Sequence, residues 1–183
     1  EDTPRLIAQW QDEGEDVLLE GTQGSALSLL HSHWPYCTTI DTNAAGILSE
    51  VGVAPSRCTD VLMVCRTFPI RVAGNSGPME NETSWEEISR RVGHPVLERT
   101  TVTKKVRRVA EWDDALFERS FLLNAPTEIA LTFCDYVDPS VYGRCEVEEV
   151  LTAPVRRFME EHGLVSAVRY LGTGPDSVAE VVR

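Results

Sequence analysis

The chain has 183 residues, of which 42% are hydrophobic and 25% charged, the balance of a globular domain long enough to bury a useful core. A formal net charge of −12 argues against long-range attraction to nucleic acid or to an anionic membrane. No run approaches the roughly eighteen consecutive apolar residues of a membrane span, and the five cysteines (Cys37, Cys58, Cys65, Cys134 and Cys145) fit neither a disulfide framework nor a zinc motif.

In chain order, the acidic stretch Asp12–Asp16 with Gly14 predicts a turn, followed by a short strand over Val17–Leu19. That strand ends at Glu20-Gly21-Thr22-Gln23-Gly24, a glycine-flanked glutamine of the kind an open α/β sheet presents at its carboxyl edge. Leu27–Leu30 is expected to be a short strand or helical turn, and Ala44–Val51 a brief helix stopped by Gly52. Val61–Val64 reads as a buried strand, and Ala73–Thr83, rich in Gly, Asn and Pro, as an exposed loop.

Ser84 and Glu87 form a capping-box signature for a helix over Trp85–Arg91. Val96–Val109 should hold one or two extended segments around the basic turn Lys104–Arg108. Asp113 caps a helix running to about Asn124, with Leu116, Phe117, Phe121 and Leu122 as its apolar side. Ile129–Cys134 is expected as a strand. Thr152 caps a further helix with Pro154 in its first turn and Gly163 near its end. Val165–Leu171 is the last strand, leading into a Gly172-Thr173-Gly174-Pro175 loop. The alternation predicts a single α/β domain with a mixed, mostly parallel sheet and flanking helices.

Several of these segments, taken in order, resemble the adenylosuccinate synthetase family. Glu20-Gly21-Thr22-Gln23-Gly24 is similar to that family's Glu-Gly-Ala-Gln-Gly loop, and Trp34-Pro35-Tyr36-Cys37-Thr38 to its Tyr-Pro-Tyr-Val-Thr segment at the same spacing. The likeness continues through Ala44, Gly46, Pro55 and Ile70-Arg71-Val72, then Arg107-Arg108 with Trp112, Leu131-Thr132 with Asp135, and Gly172-Thr173-Gly174-Pro175-Asp176. It covers nearly the whole sequence.

The resemblance implies a ligase that joins aspartate to a purine monophosphate with GTP or another purine nucleoside triphosphate and Mg2+. It implies that Gln23 contacts the substrate purine and Thr38 its phosphate. Arg71 and Val72 would face the ribose, with a surface salt bridge as the rival role for Arg71. Thr103 and Arg108 would hold aspartate or phosphate, against a merely solvated basic turn. Asp135 would accept hydrogen bonds from the base of the second nucleotide, and Gly174 and Pro175 would lie beside that base.

Five departures accompany the likeness: Asp41 within Ile40-Asp41-Thr42-Asn43, Ala73 for a glycine, Lys105 and Val106 for a glycine and an arginine, and Phe133 for a lysine. No Gly-x-x-x-x-Gly-Lys phosphate loop is present, and neither a catalytic acid or base nor a metal ligand is identified. The sequence begins at Glu1 with no signal-like segment. Residues 1–183 therefore read as the carboxyl-side core of a larger chain or assembly, cytoplasmic, completed by an amino-terminal segment or partner chain and able to form a homo-oligomer. The alternatives are a noncatalytic purine nucleotide-binding or regulatory module, and a structural subunit that completes a partner's active site.

Overall fold

The computed structural model describes residues 2–182 and has the expected α/β class, with a mixed, mostly parallel sheet and flanking helices. Its internal contacts divide the chain into two compact units, one formed by residues up to Val61 with Leu116–Pro126, the other by Leu62–Ala115 and residues from Thr127 onward.

In the first unit, helix α1 (Thr3–Asp12) starts where the Asp2 side chain accepts from the Arg5 N–H. The following residues 15–20 join no sheet, so the strand expected over Val17–Leu19 is absent. Three apolar residues cannot make a strand without a neighbour to pair their amides and carbonyls, and Leu18 is 89% exposed. A 3-10 turn, Ser25–Leu27, ends where the strand or helical turn expected over Leu27–Leu30 was to begin, and residues 28–30 join neither a strand nor a helix.

Helix α2 (Ala44–Val51) matches its expected limits. The Asn43 side chain caps it by accepting from the Gly46 N–H at 2.8 Å, and Gly52 ends it at φ 73°. Asn124, the last residue of a helix over Asp114–Asn124, stitches this unit together. It accepts from the Ala44 N–H at 2.9 Å and donates to the Ser25 hydroxyl at 3.2 Å. That helix buries its apolar side less than its pattern predicted, since Phe121 is 38% and Leu122 75% exposed.

The second unit holds both sheets. Strand β1 (Leu62–Arg66) pairs in parallel with Glu128–Thr132, which pairs in parallel with Val168–Gly174, and that strand pairs antiparallel with Ser177–Glu180. In chain order, the smaller antiparallel sheet supplies β2 (Ile70–Arg71), β3 (Glu82–Thr83) and β4 (Arg108–Ala110), with β4 central. The four-stranded sheet therefore runs β1, β5 (Glu128–Thr132), β6 (Val168–Gly174), β7 (Ser177–Glu180). The expected Gly172–Pro175 loop is largely strand: β6 continues to Gly174 and a tight hairpin turns into β7.

Helix α3 (Trp85–Val92) forms as its capping signature predicts, with the Ser84 hydroxyl accepting from the Glu87 N–H at 3.2 Å and Gly93 at φ 79° behind it. Its spacing puts Trp85, Ile88 and Val92 on one face, packed with Phe68 and Val109 in a buried cluster. The Trp85 indole N–H donates to the Arg107 carbonyl at 2.6 Å, satisfying the ring's polar atom inside that core. On α6 (Ala153–Glu161), which follows the short α5 (Val147–Val150), Val155 and Met159 are buried, and the Thr152 side chain makes no capping bond. The helix Asp114–Asn124 is α4 in this order.

Candidate functional site

In the first unit the glutamine loop is held from two sides. A Cβ on Gly21 would fall 2.3 Å from Ile47 Cδ1, so glycine lets the chain approach α2. The Thr42 hydroxyl donates to the Gly24 carbonyl at 2.6 Å. Between these points Gln23 is exposed at φ 68°, a left-handed conformation that costs a non-glycine residue on the order of 1 kcal/mol. The loop thus presents an exposed side-chain amide on a strained backbone.

Thr38 is half-buried, and its N–H donates to the Leu27 carbonyl at 2.8 Å. Leu29 donates to Ile40 at 3.0 Å, closing the segment into a compact loop. Asp41 does not face solvent as a bare charge beside Thr38. It accepts from the Ser28 hydroxyl at 2.5 Å and from the Leu30 N–H at 3.1 Å. Those bonds, the hydroxyl first, hold its carboxyl below the usual range. A shallow depression elsewhere in this unit is lined by Trp10, Glu13, Glu15, Asp16, Val17 and Leu18. Its acidic wall opposes phosphate, and it contains none of the expected ligand residues.

In the second unit Arg71 and Arg108 are directly opposite in the β2–β4 register. Like charges at such a position repel unless something intervenes. Here the Glu82 carboxylate takes both Nε and Nη2 of Arg108, at 2.7 and 2.6 Å. Arg108 Nη1 donates to the Ser76 hydroxyl and the Gly77 carbonyl, while Arg71 Nε donates to the Ser76 carbonyl at 2.8 Å. The two arginines therefore pin the Gly74–Gly77 loop. Burial, then the neighbouring Arg108, lowers the pKa of Arg71. Val72 is exposed beside this loop, and Thr103 lies apart in a tight turn where its hydroxyl shares a 2.6 Å hydrogen bond with Thr100.

Asp135 follows β5 at the carboxyl edge of the parallel strands, in a 3-10 turn (Cys134–Tyr136) that packs against β6. This is where open α/β sheets bind ligands. Asp135 is buried, and its Oδ1 has no hydrogen-bond partner among the described residues. Burial is the main reason its pKa is raised. At the end of β6, a Cβ on Gly174 would meet the Ser177 hydroxyl at 2.8 Å, and Pro175 is exposed in the hairpin turn. The buried Thr173 hydroxyl donates to the Arg144 carbonyl at 2.6 Å, tying this hairpin to the chain before α5.

Sequence reasoning missed the group around Asp135. Arg66, at the carboxyl end of β1, has its guanidinium carbon 3.6 Å from the Phe133 ring centroid and pairs with Glu98 at 2.5 Å. The Tyr136 hydroxyl donates to the same carboxylate at 3.3 Å. Burial, with the Glu98 and Asp135 charges, pushes the Tyr136 pKa up. A charged residue closing an apolar strand was the available signal, the same one that marked Asp135. Among the described residues there is no cluster of three or more His, Cys, Asp or Glu side chains fit to hold a metal ion. No helix among them is long and apolar enough to cross a membrane.

The family profile described as adenylosuccinate synthetase matches residues 1–141. The chain is 38% identical over 177 residues to the adenylosuccinate synthetase of Archaeoglobus fulgidus, covering 96% of this chain and 51% of that protein. It is 39% identical over 177 residues to that of Thermococcus onnurineus, covering 96% and 50%. The chain spans about half the length of these relatives. Among solved structures it superposes on the cyanophage S-2L succinoaminodeoxyadenylate synthetase bound to dGMP and dATP as an energy donor. The TM-score is 0.78 and the identity 25%, over 98% of this chain and 50% of that one. The fold is also that of the fully ligated adenylosuccinate synthetase from Plasmodium falciparum, with TM-score 0.86 at 18% identity, over 100% and 54%. With a profile matched over most of its length and relatives aligned along nearly all of it, the chain belongs to the adenylosuccinate synthetase family.

Proposed function

We propose that this chain supplies ligand-binding elements of a purine nucleotide ligase that joins aspartate to a purine monophosphate. The observation that carries this reading is the 38% identity maintained across 96% of the chain. A purine carbonyl oxygen is a poor leaving group, so such a ligase first phosphorylates it with a nucleoside triphosphate, and the aspartate amine then displaces phosphate. This chain's part is to bind and orient.

Gln23, held out on its strained loop, offers a donor and an acceptor to the substrate base. Thr38 contributes a hydroxyl to the monophosphate. Arg71 and Val72 border the ribose, and Thr103 and Arg108 hold the amino acid or a phosphate. Asp135 and the Gly174-Pro175 hairpin read the base of the triphosphate. Magnesium would neutralise phosphate charge during transfer. The chain offers it no ligand cluster among the described residues, so no step here is assigned to it.

The test is complementation. The 183-residue chain, alone and mixed with the remaining half of the Archaeoglobus relative, is given inosine monophosphate, GTP, aspartate and magnesium. Adenylosuccinate is read by absorbance. The expected result is nucleotide binding by the chain alone, with product only in the mixture. Failure of the chain to bind any purine nucleotide refutes the proposal.

One observation favours a second reading, a noncatalytic purine-binding module. Arg108 already spends its guanidinium on Glu82, Ser76 and Gly77, so an amino-acid carboxylate must displace Glu82 to bind there. On that reading purines bind and aspartate does not.

A further inference from the structure

The cluster around Asp135 contains more than the proposed function uses. Arg66 is fixed on three sides: Nη2 on Glu98 at 2.5 Å, Nε on the Phe68 carbonyl at 3.2 Å, and its guanidinium carbon 3.6 Å from the Phe133 ring centroid. That last distance is van der Waals contact, so one guanidinium face is covered by the ring. Phe133 is itself held in place. Its φ of 63° is left-handed, and the buried Thr67 hydroxyl donates to its carbonyl at 2.8 Å. A bulky aromatic residue in that conformation signals a constraint beyond local propensity.

Beside this stack lies the Asp135 oxygen that has lost water and found no donor among the described residues. A buried acceptor of that kind is costly unless something completes it. The N–H groups on the edge of a purine are suitable donors. The side chain of Arg66 is 23% exposed, so it is not sealed within the core. Arg66 brings its cation to Phe133 from the neighbouring parallel strand, where it lies opposite Thr132.

We propose that Arg66, stacked on Phe133 and anchored by Glu98, is the platform on which the base of a purine nucleoside triphosphate stacks while its N–H edge meets Asp135. The inference rests on the reading of Asp135 given under the proposed function and adds the residues that select the base. A guanidinium plane suits this task because it is flat, permanently charged and weakly hydrated.

Calorimetric titration of the 183-residue chain with GTP, and with inorganic tripolyphosphate as a base-free probe, tests it. Arg66→Met combined with Glu98→Gln removes the platform without leaving an unpaired carboxylate. It should weaken GTP by about tenfold or more, while tripolyphosphate affinity stays within about twofold. Arg66→Lys keeps the charge but loses the plane, and should show the same base-dependent loss.

If the folded double variant or Arg66→Lys retains the wild-type preference for GTP over tripolyphosphate, Arg66 is a structural brace and the platform is overturned. If the double variant does not fold, Arg66→Lys decides alone. Wild-type chain that binds neither GTP nor ATP overturns the proposed function and this inference together. Wild-type binding with unaffected variants overturns only the platform.

Discussion

Gly46→Ala sets two effects against each other. Gly46 is the third residue of α2, and in an open helix the substitution would stabilise by about 1 kcal/mol. Here the new Cβ would lie 2.7 Å from the Asp41 carbonyl oxygen and 2.8 Å from Asp41 Cβ. Neither atom is the far end of a flexible side chain, so the backbone near Asp41 must move. Forced shifts of this kind cost about 1–3 kcal/mol, and the expected net change is a destabilisation of about 1 kcal/mol. Asp41 anchors Ser28 and Leu30, so its displacement should also loosen the loop that carries Thr38. Urea denaturation measures the first effect. Amide hydrogen exchange at Leu29 and Thr38, whose N–H groups bond to Ile40 and Leu27, measures the second. A variant as stable as wild type or more so, with unchanged protection at both amides, would refute the reasoning.

The remaining predictions separate function from stability. Gln23→Gly relieves the left-handed strain, so the unfolding midpoint should hold or rise while discrimination between purine and pyrimidine monophosphates is lost. Retained discrimination counts against the base-contact role. Glu82→Gln frees Arg108 from its carboxylate partner and should tighten aspartate binding, measured by competition against succinate. Unchanged affinity would leave Arg108 as a loop pin only. Asp135 has a folded pKa above its ordinary value near 3.8, mainly through burial, so wild-type stability falls as pH rises from the unfolded value through the folded one. The stability difference between Asp135→Asn and wild type should therefore favour the variant more at about pH 7 than at about pH 3. An equal difference at both would contradict the assigned burial.

The elements legible in the sequence were those with local signals. Ser84 with Glu87 marked α3 because capping is a short-range hydrogen bond, and Gly52 marked the end of α2. The alternation of apolar runs and helical segments marked the parallel strands. Val17–Leu19 misled because a strand exists only through a neighbour, and pairing is not written in three residues. Gly172–Pro175 reads as a loop from composition, yet its glycines permit the close approach of β5 and of Ser177, so they belong to a ladder and hairpin. The candidate site divides the same way. Gln23 and Asp135 were visible at the ends of apolar runs. Arg66, Glu98 and Tyr136 come together only through the parallel register of β1 with β5 and the packing of distant turns, so no spacing in the sequence announces them.

Asn124 bears on the order in which the protein takes shape during synthesis. Its side chain joins Ala44 to Ser25, 80 and 99 residues earlier in the chain. Only after α4 leaves the ribosome can the unit that holds Ser25 and Ala44 close. At about 5–20 residues per second, the nascent loop from Ser25 to Asn124 waits several seconds with its apolar side uncovered. That unit is thus completed by a residue made well after the strand β1 that follows its first segment in the chain.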